Sequence, residues 1–152
     1  MAGAKPLVDD GVWVPLFLVW LVSLLAMLGS LFFSDVMGLP PCTLCWYQRI
    51  TMYPIVVIST VALLVRDRNA ARYMWPLVIA GIAITVYHCL LHYGVIPDEI
   101  TPCGVGVSCT ERQIEWLGFI SIPLLSLGSV LAVAAGLVWF NVRVKGSVRA
   151  DQ

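Results

Sequence analysis

Charged residues are scarce in this chain of 152 amino acids. Lysine, arginine, aspartate and glutamate supply 12% of the residues, whereas hydrophobic residues supply 60%, and the mean hydropathy is +0.91. An ordinary soluble domain carries about 25% charged residues, so this composition excludes that class and indicates a membrane protein. The formal net charge is zero, which excludes the basic surface that nucleic-acid binding requires.

The sequence also lacks internal repeats and low-complexity tracts, so we predict a single integral membrane domain over residues 1–152. Its apolar runs predict transmembrane helices at approximately residues 12–33, 46–65, 73–93 and 116–140, each long enough to cross a hydrocarbon core of roughly 30 Å. We expect the first run to be a retained span, since the apolar region of a cleaved signal peptide is shorter. The predicted fold class is an all-α, four-helix transmembrane bundle.

Basic residues are nearly absent from one side of this four-helix topology. Only Arg49 and Arg112 fall there, and the other seven fall on the opposite side: Lys5, Arg66, Arg68, Arg72, Arg143, Lys145 and Arg149. Loops rich in lysine and arginine stay in the cytoplasm. We therefore expect both the N and C termini to be cytoplasmic, together with the loop between the second and third helices, and the other two loops to face outward.

The chain has five cysteines, and four of them are expected at the outward-facing side. Cys42 and Cys45 follow Pro40 and Pro41, a proline pair that suits the start of a helix. Three residues apart, the two thiols lie on one face of the first turn, where the helix dipole favours the reactive thiolate form. We predict that this pair is catalytic and redox-active.

Arg49 lies four residues after Cys45, on the same face of the second helix. A cation in a membrane helix is costly, so it indicates either a ligand site or a side chain that extends to the lipid headgroups. Beside a cysteine pair, the ligand site is the favoured interpretation. His88 and His92 lie one turn apart near the outer end of the third helix, and we expect His88 to hydrogen-bond a ligand carbonyl or to pass on a proton.

A zinc site built from both histidines and the Cys42–Cys45 pair is an alternative. The spans offer no aspartate or glutamate to support such ligands, so we expect no metal. Cys89, which lies between the two histidines, is expected to be a buried apolar thiol without a role.

Cys103 and Cys109 form a second pair, six residues apart in the outward loop between the third and fourth helices. A disulfide between them could be a structural staple. A short disulfide-closed ring is also readily strained, and strain makes the bond reducible. Because another cysteine pair is expected on the same membrane face, we favour a redox role, in which the two pairs form a relay to an acceptor dissolved in the membrane.

These features resemble the DsbB family of quinone-linked disulfide oxidoreductases, and within it the shorter BdbC-like branch. The resemblance covers nearly the whole chain. It rests on the run Cys42-Thr43-Leu44-Cys45-Trp46-Tyr47-Gln48-Arg49, on Met52-Tyr53-Pro54, on the loop from Pro102 to Cys109, and on Trp116-Leu117-Gly118-Phe119 with Pro123. It implies a four-helix bundle in the bacterial cytoplasmic membrane, with the active-site cysteines on the outer face.

The resemblance also implies an activity and roles for single residues. The protein is expected to reoxidise an extracytoplasmic, thioredoxin-like thiol oxidase of the DsbA or BdbD type and to reduce a membrane quinone, either ubiquinone or menaquinone. Cys103 and Cys109 match the pair that meets the partner, with Cys103 forming the mixed disulfide. Cys42 and Cys45 match the pair beside the quinone, with Cys45 in contact with it. Arg49 matches the arginine of the quinone site.

Two other interpretations fit parts of the same pattern. A vitamin K epoxide reductase-like protein also combines four helices, a CxxC motif and a quinone, but its CxxC comes late in the chain, whereas here it precedes the second span. A small membrane protein stapled by two disulfides is the non-enzymatic interpretation. Such a protein would not need Arg49 beside its cysteines, and it would show no quinone-dependent thiol turnover.

Overall fold

Four long apolar helices make up the computed structural model, which describes residues 10–96, 115–116 and 120–150. They are α1 (Trp13–Leu31), α2 (Thr43–Val65), α3 (Ala70–His92) and α4 (Ile122–Ala150). A 3-10 turn (Asp10–Val12) precedes α1, and a π-helical turn (Phe32–Val36) prolongs it. Each of the four is long and apolar enough to cross a membrane, which confirms the predicted all-α, four-helix transmembrane fold.

The helices form an up-and-down bundle. Each helix packs against its neighbours in the chain, and α4 closes the ring by packing against α1. Buried apolar side chains from all four helices fill the centre, among them Leu16, Ile55, Met74 and Leu137. The antiparallel order of α2 and α3 follows from their short connection, residues 66–69, because a tight turn leaves neighbouring helices side by side.

The two ends of the bundle differ in charge. At one end, the start of α1 meets the ends of α2 and α4, with the Trp13 ring 5.9 Å from the Phe140 ring and 6.0 Å from the Arg66 guanidinium. All basic residues of the described ranges lie at this end except Arg49. The opposite end gathers the end of α1, the start of α2, the end of α3 and the start of α4, and it contains the first cysteine pair.

The fourth helix begins later than expected, at Ile122 instead of 116. The segments Glu115–Trp116 and Ile120–Ser121 pair as a two-residue antiparallel ladder just before it. Pro123 stands in the first turn of α4, where the N–H that proline lacks would have no helical partner. The predicted capping box of Thr110 and Gln113 lies outside the described residues.

A glycine ends α3 at the level of the cysteine pair. Gly94 has a φ of +71°, a conformation that glycine adopts without steric cost. Its N–H donates to the carbonyl of Leu91 at 3.0 Å, and the N–H of Val95 donates to the carbonyl of Leu90 at 2.9 Å. These bonds satisfy carbonyls that the end of a helix leaves unpaired, and α3 ends four residues after His88.

Close packing of α4 against α1 depends on Gly136. A Cβ atom added there would lie 2.5 Å from Cγ2 of Val19 on α1, and valine has few alternative rotamers in a helix. We expect Gly136→Ala to destabilise the protein by about 1–3 kcal/mol through overpacking. The measurement is the Tm of the purified protein in detergent.

Gly128→Ala is the matched control for this prediction. It lies on the same helix, nothing stands within 4 Å of a Cβ added there, and both substitutions gain the same helix propensity. A Tm of Gly136→Ala equal to or above that of Gly128→Ala would contradict the close approach of α1 and α4.

Candidate active site

Helix α2 begins directly after Cys42. This residue has extended backbone angles (φ −69°, ψ 169°) and is the N-cap of the helix, and its sulfur accepts a hydrogen bond of 3.3 Å from the backbone N–H of Cys45. The sulfur takes the place of the side-chain oxygen that usually caps a helix. The expected helix start near Cys42 is therefore confirmed.

The two thiols of this first turn lie against each other. Their sulfurs are 2.8 Å apart, and both cysteines are free. A disulfide bond is about 2.0 Å long, so only a small movement separates the dithiol from the oxidised pair. Cys42 is buried and Cys45 is partly exposed. The pair can therefore cycle between its two redox states without rearrangement of the helix.

His88 lies on the α3 side of this pair. Its Nε2 is 3.9 Å from the sulfur of Cys42, and its Nδ1 is 3.1 Å from the side-chain nitrogen of Gln48. Both His88 and Gln48 are buried. The sulfur of Cys42 thus faces the thiol of Cys45, the backbone N–H of Cys45 and the imidazole ring.

These contacts favour the thiolate form of Cys42. Hydrogen bonding with the Cys45 thiol, and then with His88 and the Cys45 backbone N–H, holds the pKa of the Cys42 thiol well below its usual range, although burial by itself raises that pKa. The thiolate is the nucleophile of disulfide exchange. Of the two cysteines, the site therefore prepares the more deeply buried one for reaction.

Arg49 joins α2 to α1 through its guanidinium group. Its Nε and Nη2 groups donate hydrogen bonds of 2.9 Å to the hydroxyl and carbonyl oxygens of Ser30. Its guanidinium also lies 5.2 Å from the centre of the Trp46 ring. Together these contacts hold the guanidinium between α1 and the first turns of α2.

A cavity of about 370 Å³ lies beside Arg49, between α1, α2 and α4. Its walls are mostly apolar, and the polar residues among them are Ser30, Gln48, Arg49, Tyr53, Ser126 and Ser129. A few polar groups in an otherwise apolar pocket are typical of a site for a largely apolar ligand. Neither cysteine lines the cavity, but Cys45 lies within one helical turn of Gln48 and Arg49, which do.

The sequence pattern did not reveal Ser30, Gln48 or Tyr53 as parts of the site. Ser30 lies nineteen residues before Arg49 and on another helix, so no local signal connects the two. Tyr53 could have been found, because it lies four residues after Arg49 and therefore on the same helix face. Its hydroxyl is buried and has no hydrogen-bond partner among the described residues.

The second cysteine pair, Cys103 and Cys109, lies outside the described residues. Its pairing and its approach to the first pair therefore stay predictions. Cys89 is buried on α3 with a free thiol, as expected from the sequence.

The zinc alternative needs donors from both histidines and from both cysteines of the first pair. The donor atoms of Cys42, Cys45 and His88 all lie within 4.8 Å of one another. His92 does not belong to that group, and its ring meets the Tyr93 ring edge-on with centroids 5.4 Å apart. The structure thus assembles three of the four donors, and the expectation of a site without metal stays a prediction.

The sequence of this chain is similar to those of known disulfide bond formation proteins. A family model described as disulfide bond formation protein DsbB matches residues 13–140. Disulfide bond formation protein C of Bacillus subtilis (strain 168) is 45% identical over 112 residues, which cover 74% of this chain and 81% of the relative. Probable disulfide formation protein C 2 of Bacillus anthracis is 44% identical over 116 residues, which cover 76% of this chain and 82% of the relative.

A more distant relative extends the match along the chain. A probable disulfide formation protein of Metapseudomonas resinovorans is 39% identical over 127 residues, which cover 83% of this chain and 88% of the relative. No solved structure matches the chain. The segment matched by the family model, residues 13–140, contains every residue of the site and of the cavity.

Proposed function

This chain belongs to the DsbB family of disulfide bond formation proteins, and from that premise we propose that it reoxidises an extracytoplasmic, thioredoxin-like thiol oxidase and passes the electrons to a membrane quinone. Membership of the family and the four candidate spans make the chain a multi-pass membrane thiol-disulfide oxidoreductase. The observation that supports the quinone is the apolar cavity beside Arg49, one helical turn from the cysteine pair.

The residues of the cavity suit a quinone. A quinone is an apolar ring system whose carbonyl oxygens accept hydrogen bonds and gain negative charge on reduction. Arg49 uses two N–H groups on Ser30 and can direct its others at such an oxygen. The buried hydroxyl of Tyr53, which lacks a partner among the described residues, is a further donor that a ligand carbonyl would satisfy. Ubiquinone and menaquinone both meet this description.

The proposed reaction moves two electrons and two protons. The partner's dithiol becomes a disulfide, and the quinone that accepts the electrons becomes a hydroquinone. Cys42 and Cys45 carry the electrons as a dithiol that closes to a disulfide. Arg49 binds and orients the acceptor, and its positive charge favours the negative charge that develops there in the low dielectric of the bundle.

His88 was expected either to bind a ligand carbonyl or to act on a proton. It is not among the residues that line the cavity, and its Nε2 faces the sulfur of Cys42. We therefore propose that His88 serves the thiol chemistry. A higher KM for quinone with an unchanged kcat in His88→Asn would instead favour the ligand-binding role.

We propose that Cys103 and Cys109 connect the partner to this site. They belong to the connection between α3 and α4, and those two helices end and begin at the same end of the bundle as Cys42. Cys103 forms the mixed disulfide with the partner and Cys109 resolves it, after which the electrons pass to the first pair.

We propose that this end of the bundle faces outward from the bacterial cytoplasmic membrane. Arg66, Arg68 and Arg72, and the basic residues late in α4, lie at the opposite end, which is then cytoplasmic together with both termini. A membrane-impermeant thiol reagent added outside reduced cells should label Cys103 and Cys109. Labelling of these cysteines only from the cytoplasmic side would reverse the orientation.

The test of the function is quinone reduction by the purified protein, followed optically, with a reduced thioredoxin-like oxidase as the electron donor. We expect turnover with an analogue of ubiquinone or of menaquinone, and we expect it to persist with a metal chelator present. Replacement of both Cys103 and Cys109 by serine should stop turnover with the protein donor but preserve reduction by a small dithiol. No reduction of either quinone with either donor would contradict the proposal.

The family assignment also bears on the two alternatives. The matching family is DsbB, in agreement with the early position of the CxxC motif, which a vitamin K epoxide reductase-like protein does not share. A non-enzymatic, disulfide-stapled protein would not need the guanidinium of Arg49 held beside an apolar cavity.

A further inference from the structure

A buried hydrogen bond joins α2 to α3 behind the cysteine pair. Gln48 is 8% exposed and His88 is 3% exposed, and the glutamine Nε2 is 3.1 Å from the histidine Nδ1. The neighbouring Cys42 belongs to an apolar cluster with Leu44 and Leu91. Buried polar groups in such surroundings must form hydrogen bonds with one another. Few arrangements of their hydrogen atoms allow this.

The positions of these hydrogens follow from the chemistry of the donors. With the Gln48 amide oriented as in this structure, its nitrogen faces Nδ1 of His88, and because an amide nitrogen donates a hydrogen bond, Nδ1 accepts it and carries no proton. In the neutral ring the proton then lies on Nε2, the atom 3.9 Å from the sulfur of Cys42. His88 consequently presents an N–H group, and not a lone pair, to that sulfur.

We propose that Gln48 is a positioning residue that fixes His88 in the tautomer protonated at Nε2, so that His88 donates a hydrogen bond to the Cys42 thiolate. The backbone N–H of Cys45 and the Cys45 thiol lie against the same sulfur. Because Nε2 is already protonated, His88 stabilises this thiolate and does not remove its proton. Gln48 does not touch the Cys42 sulfur in these contacts and acts on it through His88.

Because the site stabilises the thiolate of Cys42, it is Cys42 that supplies the thiolate when the disulfide between Cys42 and Cys45 forms. The sulfur of Cys42 bonds to the sulfur of Cys45 as the S–H bond of Cys45 breaks and the acceptor withdraws two electrons from the pair. Two electrons and the proton of Cys45 pass to the acceptor, which takes its second proton from water. This step rests on the quinone of the proposed function. The tautomer and the thiolate are properties of the reduced protein alone, so they can be measured with no quinone present.

The test is 15N NMR of the imidazole nitrogens in the reduced, purified protein. The chain has two histidines, so a His92→Gln variant assigns the signals of His88. In the wild type we expect a protonated Nε2 and a bare Nδ1. Gln48→Leu should give a mixture of tautomers, and Gln48→Glu should place a proton on Nδ1, because a carboxylate can only accept.

The second readout is the rate at which iodoacetamide alkylates Cys42, with the site located by mass spectrometry. At about pH 6 an ordinary thiol is largely protonated, so the rate reports the stabilised thiolate. In Gln48→Leu, loss of one hydrogen bond to the thiolate should raise the midpoint of the pH profile of this rate by about one pH unit, so that alkylation at the wild-type midpoint slows about fivefold.

Thr51→Val is the control for both readouts. It removes a buried hydroxyl that bonds the backbone carbonyl of Gln48 at 2.8 Å and not its side chain, so the tautomer and the alkylation rate should stay as in the wild type. A wild-type spectrum with the proton on Nδ1 would overturn the inference. The inference would also be overturned if Gln48→Leu kept the wild-type tautomer and the wild-type alkylation rate. It would likewise be overturned if Nδ1 carried no proton in the nearly isosteric variant Gln48→Glu.

Discussion

Cys42→Ser and Cys45→Ser are each expected to lower quinone reduction by on the order of a thousandfold or more. Two electrons leave the dithiol only as a disulfide forms, and a serine hydroxyl cannot take part in that exchange. The start of α2 should survive both changes. Serine is a good N-cap at position 42, and the backbone N–H of residue 45 that is capped there is unchanged. The measurement is kcat with the protein donor and with a small dithiol.

The two variants should differ in the thiol that remains. Cys45→Ser leaves Cys42 with its contacts to the backbone N–H of residue 45 and to His88, so we expect Cys42 to stay rapidly alkylated. Cys42→Ser leaves the thiol nearer to Arg49 and the cavity. We expect the Cys45 thiolate and oxidised quinone to give a charge-transfer absorbance in that variant and not in Cys45→Ser.

Cys89→Ser is the matched control for this pair of variants. Cys89 is also a buried, free thiol on a membrane helix, but it belongs to no step of the proposed relay. We expect it to retain wild-type turnover. Wild-type turnover in Cys42→Ser, or lost turnover in Cys89→Ser, would contradict the assignment of the first pair as the electron donor to quinone.

Most of the fold could be predicted, because its signals are local. A bilayer requires each span to satisfy its own backbone hydrogen bonds, so four long apolar runs predict four helices. Pro40, Pro41 and Cys42 likewise mark the start of α2. The start of α4 was predicted wrongly by six residues, since the chain pairs as a short antiparallel ladder before Ile122. Hydropathy alone cannot separate a short apolar strand from a helix.

Less of the site could be predicted, because its contacts join different helices. The dithiol and Arg49 belong to one helix, and their spacing places them on one face. Ser30 comes from α1 and His88 from α3. Which faces of two helices meet depends on the packing of the whole bundle, and the sequence near each residue does not encode it. The bonds of Arg49 to Ser30 therefore appear only in the structure.

Arg49→Met is expected to lower kcat/KM for quinone roughly ten- to a hundredfold, the effect of losing about 1.5–3 kcal/mol from one charge-assisted hydrogen bond. Methionine can fill the same space in the cavity wall, but it offers no donor to a quinone carbonyl and no positive charge for the reduced ring. The fold and the expected Cys103–Cys109 disulfide should be preserved. The measurement is kcat and KM for a soluble quinone at saturating dithiol.

The bonds to Ser30 require a control, since Arg49→Met also removes two hydrogen bonds between α1 and α2. Ser30→Ala deletes the hydroxyl that accepts from Nε and keeps both the backbone carbonyl and the guanidinium. If Arg49 only joins the two helices, Ser30→Ala should lose turnover along with thermal stability. If Arg49 binds the quinone, Ser30→Ala should keep most of its turnover even where its Tm falls.

Arg49→Lys separates the charge of this residue from its geometry. Lysine keeps the positive charge but lacks the planar, forked donors of a guanidinium, so it can favour charge on the acceptor without holding it in one orientation. We expect a raised KM for quinone and a kcat between those of the wild type and Arg49→Met. Wild-type kcat and KM in Arg49→Met would mean that the guanidinium serves only the packing of α1 against α2, and the quinone would then have to bind outside this cavity.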